Sequence, residues 1–201
     1  MTSLAERLRQ RFAEGFPEGE PVLRESGWNV PPLLTDAAVL VPIIDAPEPR
    51  LLLTVRDAGL RSHAGQVAFP GGRLDPADRD AVAGALREAA EEIGLRPECV
   101  EVVGTGRQYA TITGYMVTPV VGVIPPNLEL TPHEAEVAAI FEVPLDHLLA
   151  EFNHLRKSIR FNGGERHYYE IPWPEHRIWG VTAAMIVQLA PLLREAIGSQ
   201  A

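Results

Sequence analysis

Three glutamates, Glu88, Glu91 and Glu92, lie at i, i+3 and i+4 in the stretch Arg87-Glu88-Ala89-Ala90-Glu91-Glu92-Ile93-Gly94-Leu95. On a helix their carboxylates leave one face. Like charges at that spacing oppose the helix unless a counter-charge sits among them. A hard divalent cation meets the need. Oxygen donors with no His or Cys nearby suit Mg²⁺ or Mn²⁺ better than zinc. Gly71 and Gly72 stand just upstream. Glycine lets the backbone approach closely, so the Gly72 carbonyl is a candidate further ligand. Taken alone, the glutamates also fit a solvated acidic helix face. The Gly-Gly turn, and Arg87 beside Glu88, favour the metal reading.

A helix must position these groups. Gly94 supplies a left-handed stop, and Val82, Leu86, Ala89 and Ile93 recur at helical spacing on the face expected to meet the core. An Asp-rich loop separates the helix from the Phe69-Pro70-Gly71-Gly72 turn.

These residues resemble the Nudix hydrolases. The family box reads G, five residues, E, seven residues, then R-E-U-x-E-E-x-G-U, with U a bulky aliphatic. Residues 87–95 fit its second half, with Ala89 small for its slot. In the first half, six on from Gly72 stands Asp78 rather than Glu, one residue too far from Arg87, as a one-residue insertion would place it. The resemblance implies an α+β fold, a Nudix α/β/α sandwich with a mixed sheet. It implies hydrolysis of a nucleoside diphosphate linked to another group, and Mg²⁺ or Mn²⁺ held by Glu88, Glu91 and Glu92. Metal ions neutralise a pyrophosphate and acidify a water, so positioning and charge dominate what the protein must do. Arg87 then orients the acidic cluster. Glu88 is a candidate base as well as a ligand. The family draws a further ligand or base from variable later regions, which makes Glu134 and Glu136 candidates.

A second stretch adds to this. Leu52-Leu53-Thr54-Val55-Arg56, then Arg61, Gly65 and Phe69-Pro70-Gly71-Gly72 resemble the signature of the coenzyme A pyrophosphatase subfamily, with every spacing kept. Asp57 departs from it, standing where the pattern has Ser or Ala. The resemblance implies that coenzyme A or a derivative is cut into 3′,5′-ADP and a 4′-phosphopantetheine product. The substrate-binding candidates are Arg56, Arg61, Gly65, Phe69 and Gly71. The 3′-phosphate needs cations of its own, and Arg56 and Arg61 are the candidates, since guanidinium matches phosphate geometry. A solvated loop with paired arginines is the plain alternative.

The 201 residues suit one domain with extensions: a core over about 35–180, an N-terminal helix and linker over 1–34, and a C-terminal helix over 181–198. The net charge of −9 argues against a general nucleic-acid binder. The single cysteine, Cys99, forms no internal disulfide, in keeping with a cytoplasmic location. The charged N-terminal stretch has no signal-peptide core, and no apolar run reaches membrane-spanning length.

In chain order, residues 3–13 read as a helix, Glu14 to Pro32 as a linker, and 37–44 and 51–55 as strands. Strands are also expected near 100–103, 108–116, 117–125 and 137–143, with Gly104 and Gly106 at a turn or bulge and Thr131 capping a turn at Pro132. Asn162-Gly163-Gly164 marks a hairpin within 157–180, where Tyr168, Tyr169, Trp173 and Trp179 gather. One of these could stack on adenine; aromatic packing is the simpler job. Ile186, Val187, Ala190 and Leu193 face inward on the last helix, with Pro191 kinking it.

The reading is a coenzyme A diphosphatase. Its rivals are a Nudix pyrophosphatase for ADP-ribose or a nucleoside triphosphate, and a catalytically silent Nudix module that binds a ligand.

Overall fold

The computed structural model describes residues 2–16, 31, 33–60, 62–161 and 164–198. Arg61, nearly all of the expected linker and the Asn162-Gly163 turn lie outside them. In chain order the elements are α1 (Leu4–Glu14), β1 (Thr35–Ile44), β2 (Arg50–Arg56), β3 (Val67–Ala68), β4 (Gly71–Arg73), α2 (Ala81–Ile93), β5 (Glu101–Thr105), β6 (Tyr109–Ala110), β7 (Tyr115–Ile124), β8 (Val137–Pro144), α3 (Leu145–Leu149), β9 (Leu155–Phe161), β10 (Gly164–Ile171), β11 (Ile178–Trp179) and α4 (Gly180–Ile197).

Among the described residues, eight strands form one mixed sheet in the order β3-β2-β1-β7-β5, with β4 on β1, β6 on β7 and β8 on β2. β1 and β7 run parallel in register from Thr35↔Tyr115 to Ile44↔Ile124. Both strands are apolar through most of their length because both faces of the sheet are covered. Alternation sorts the side chains. Ala37, Val41 and Ile43 enter the core shared with α1, α3 and α4, while Ala38, Leu40 and Ile44 enter the core under α2. The result is an α/β/α sandwich, as expected.

Along its other edge β1 changes partner. Ala37 to Val39 pair with β4, and Ile43 and Ile44 pair with β2. Pro42, which has no N–H to give a ladder, falls between the two pairings.

α1 carries a capping box. Ser3 Oγ accepts from the Glu6 N–H, and Glu6 accepts from the Ser3 N–H. Leu4 and Leu8 bury toward α4, and the Arg7 side chain donates to the Ala196 carbonyl in the last turn of α4. β5 bulges between Val102 and Gly104, where a Cβ would lie 2.5 Å from the Phe12 ring. The bulge and the missing side chain let α1 dock there.

Three expectations change. The stretch 108–116 is not one strand; β6 and β7 pair across a turn in which Thr111 accepts from the Gly114 N–H. The buried face of α2 centres on Ala85, Ala89 and Ile93, with Val82 and Leu86 only partly covered. Small residues at its centre bring the helix close to β1 and β4. α4 is long and apolar enough to cross a membrane by length and composition alone. Here that character serves the core, where Ile186, Leu189, Ala190 and Leu193 are buried, while Val187 is only partly covered.

Candidate active site

The site forms where β4 passes under α2. Gly71 has φ 154°, and a Cβ there would lie 2.4 Å from the Ala38 carbonyl oxygen, so glycine is required. Its N–H donates to Glu92 Oε2 at 3.0 Å. At Gly72 a Cβ would lie 2.6 Å from Glu88 Oε2. The two glycines thus let backbone approach two carboxylates of α2.

α2 starts on Asp80, whose side chain accepts from the Ala83 N–H, and ends on Gly94 in the left-handed conformation. The loop after Leu130 then caps its last turn. The Thr131 N–H donates to the Ile93 carbonyl and the His133 N–H to the Glu92 carbonyl. Thr131 therefore acts through its backbone, on the helix end, rather than by capping a turn of its own. A turn over His133 to Glu136 follows, and the Asp57 N–H donates to the Glu136 carbonyl. The β7–β8 loop caps the helix end and is in turn bonded to the β2–β3 loop.

The three glutamates are not presented alike. Glu92 is 4% exposed, Glu88 17% and Glu91 61%. Burial raises Glu92 from its ordinary 4.5 to about 7, against the pull of the Gly71 N–H and Arg56. Burial also raises Glu88, against Arg87. The Glu136 carboxylate pushes both upward, which places it with them electrostatically. Glu134 is exposed.

The counter-charge that the acidic face requires is Arg87. Its Nε and Nη2 donate to Asp78 at 3.1 and 2.9 Å, and its Nη1 donates to Glu88 and Glu91 at 3.0 Å each. Nη2 also reaches the Arg73 carbonyl at 3.2 Å. The Asp78 hydrogen bond holds the guanidinium charged more firmly than usual, and Asp78 in turn titrates below its ordinary range. The inserted residue before α2 is thus absorbed by the Asp75–Asp78 turn, in which the Asp75 N–H donates to Asp78 Oδ2.

Arg56 ends β2 with Nη1 3.7 Å from Glu92 Oε1, and its Nε is buried without a partner. It therefore stands against the acidic cluster. Asp57 closes the following turn by accepting from the Gly59 N–H at 2.7 Å. The Gly65 N–H donates to the Arg56 carbonyl, and Gly65 has φ 69°. Phe69 is 3% exposed and packs in the core shared with α4.

Among the described residues, no three His, Cys, Asp or Glu side chains form a ready-made cage for a metal ion. Glu88 and Glu92 nonetheless fit a hard cation. Magnesium is commonly held by one or two carboxylates, with waters and substrate phosphates completing its shell. Two carboxylates disfavoured by burial gain from a cation that meets them. Gly72→Ala tests this close fit. The clashing atoms end a flexible side chain, so the fold should hold and Glu88 should shift. The Mg²⁺ concentration for half-maximal activity is expected to rise roughly tenfold with the melting temperature little changed.

A model of the NUDIX domain matches residues 34–161. An uncharacterized Nudix hydrolase, NudL, of Cronobacter sakazakii is 45% identical over 90% of this chain and 92% of its own length. The NudL of Photorhabdus laumondii is 49% identical over 77% of this chain and 82% of its own. A crystal structure of a MutT/nudix family protein from Enterococcus faecalis covers 98% of this chain and 75% of its own at 16% identity, with a TM-score of 0.49.

Proposed function

The chain belongs to the Nudix hydrolase family, and from that premise we propose that it hydrolyses the diphosphate bond of coenzyme A or a derivative, giving 3′,5′-ADP and a 4′-phosphopantetheine product. One observation carries the reading. The signature stretch from Leu52 to Gly72 delivers both Arg56 and the Gly71 N–H onto Glu92, so the two motifs converge on one carboxylate.

Glu88 and Glu92 are the residues to hold Mg²⁺ or Mn²⁺, with Glu91 an outer partner through Arg87. When bound, the ion neutralises the diphosphate and makes water a better nucleophile. Glu136, whose charge is felt by both carboxylates, takes the proton from the attacking water; Glu88 is the alternative acceptor. Arg87 holds Glu88 in place. Arg56 offers a phosphate oxygen the guanidinium edge now turned to Glu92.

The position of Arg56 also favours a second reading. A cation committed to the acidic cluster does not discriminate a remote 3′-phosphate, so another nucleoside diphosphate derivative such as ADP-ribose is the competitor. Mass spectrometry of products decides. Coenzyme A, ADP-ribose and a nucleoside triphosphate are each incubated with Mg²⁺ or Mn²⁺. The expected result is 3′,5′-ADP and 4′-phosphopantetheine, formed fastest from coenzyme A. Faster cleavage of ADP-ribose would replace the substrate and keep the chemistry.

A further inference from the structure

Beyond the large sheet, β9, β10 and β11 form a small antiparallel sheet with β10 in the middle. One face of it is buried: Ile171 and Ile178 join the core against α4. The other face carries charged and aromatic side chains, of which Lys157 and Arg177 are exposed. There Glu170 stands opposite Trp179, and Tyr168 opposite Lys157. The Arg177 guanidinium lies 4.7 Å from the centre of the Trp179 ring and 5.7 Å from that of Tyr168, and it donates to the Tyr168 hydroxyl at 2.9 Å. Tyr168 and Trp179 meet edge to face, 5.7 Å apart. Glu170 pairs with both Arg177 and Lys157, so these three side chains together carry one positive charge in a chain of net charge −9.

A planar cation backed by an indole, half open to solvent, is a stacking surface for a nucleobase. Excess positive charge beside it complements a phosphorylated nucleoside. The strand that carries Trp179 is joined to the active-site segment through β3. β11 runs against β3, and the Thr182 hydroxyl donates to the Val67 carbonyl at 2.9 Å. From Val67 the chain reaches Gly71 in four residues, a span of at most about 13 Å. Tyr168, Arg177 and Trp179 all fall outside residues 34–161, the stretch shared with the family domain. A specificity device belongs there, since the common chemistry does not require it.

We propose that the Arg177 face, supported by Trp179 and Tyr168 and flanked by Lys157, binds the base of the nucleoside end of the substrate. The inference rests on the diphosphatase reading for the identity of that substrate, while its test reads binding directly. ADP and inorganic pyrophosphate are titrated calorimetrically into the full-length protein without metal. Arg177→Gln, which leaves Glu170 its Lys157 partner, is expected to weaken ADP roughly tenfold or more and to leave pyrophosphate unchanged. In turnover the same variant raises KM by that factor and keeps kcat, the mark of lost uniform binding.

If Arg177→Gln does not fold, Arg177→Lys keeps the ion pair and removes the planar face; weaker ADP binding at an unchanged melting temperature then supports the site. Folded variants that bind ADP like the wild type overturn it, as does an equal loss of pyrophosphate. Cleavage of coenzyme A with a KM indifferent to Arg177 removes this site and keeps the activity. Arg177-dependent ADP binding by a protein that cleaves none of the diphosphates keeps the site and removes the activity.

Discussion

Replacing Glu92 by Gln is expected to lower kcat by on the order of 10²–10³-fold, the range for losing one preorganised electrostatic contact, while making the metal-free protein more stable at pH 8. Both effects come from burial. Glu92 is 4% exposed, and its pKa stands at about 7. Between pH 4.5 and about 7 the folded chain keeps a proton that the unfolded chain has released, so stability falls as pH rises. Above pH 7 the full penalty is present, on the order of 3 kcal/mol as an upper bound. Gln keeps an acceptor for the Gly71 N–H and removes the charge. Arg56, 3.7 Å away, loses its partner and offsets part of the gain. Each kcal/mol retained raises the melting temperature by about 2–4 °C. Thermal melts without metal read this, and the advantage should shrink toward zero at pH 5, where Glu92 is protonated in the wild type. Added Mg²⁺ should stabilise the wild type and not the variant. A folded variant with near-normal turnover would remove Glu92 from the metal role, and one less stable than the wild type at pH 8 would contradict the burial argument.

The layered fold was legible because its signals are periodic. Residues 37–44 alternate between two cores, and the Glu-rich helix ends on Gly94 as its sequence demands. The site was legible in residue types and less so in their environments. Spacing alone puts Glu88, Glu91 and Glu92 on one face, but the depth of each is set by how α2 sits over Gly71 and Gly72. That depends on the small Ala85 and Ala89 and on a loop forty residues downstream. A motif gives the order of Arg56 along the chain and no direction in space, and it is the packing of β2 under α2 that sets it 3.7 Å from Glu92. The same motif does not show that Phe69 is buried. Between Thr111 and Gly114 alternating β-formers continue through a turn, and only the positive φ of Gly114 marks the reversal.

Asp78 shows what the chain adds to the shared pattern, and its removal is the second large effect expected. The guanidinium of Arg87 is held by a fork onto Asp78, and only then can Nη1 serve Glu88 and Glu91 together. Asp78→Ala should free Arg87 to collapse onto the two glutamates, pulling Glu88 from its place against Gly72. Partners that orient a ligand typically cost 10–100-fold in metal affinity or activity when lost, so about that loss is expected here. Arg87→Ala should cost at least as much. It leaves Asp78, Glu88 and Glu91 without their shared cation, and it should lower the melting temperature at neutral pH as well. Because Asp78 titrates below its ordinary range when paired, its contribution to stability is present above that range and disappears only as pH falls through the lowered value. Arg87→Lys should not rescue activity, since an ammonium cannot span Asp78 and the glutamates in one plane. The decisive experiment is a double-mutant cycle on the Mg²⁺ dependence of turnover. If Asp78 acts through Arg87, adding Asp78→Ala to Arg87→Ala costs almost nothing further. Additive losses would mean that Asp78 meets the metal or the substrate by another route, and that the inserted residue before α2 created a ligand rather than a clamp.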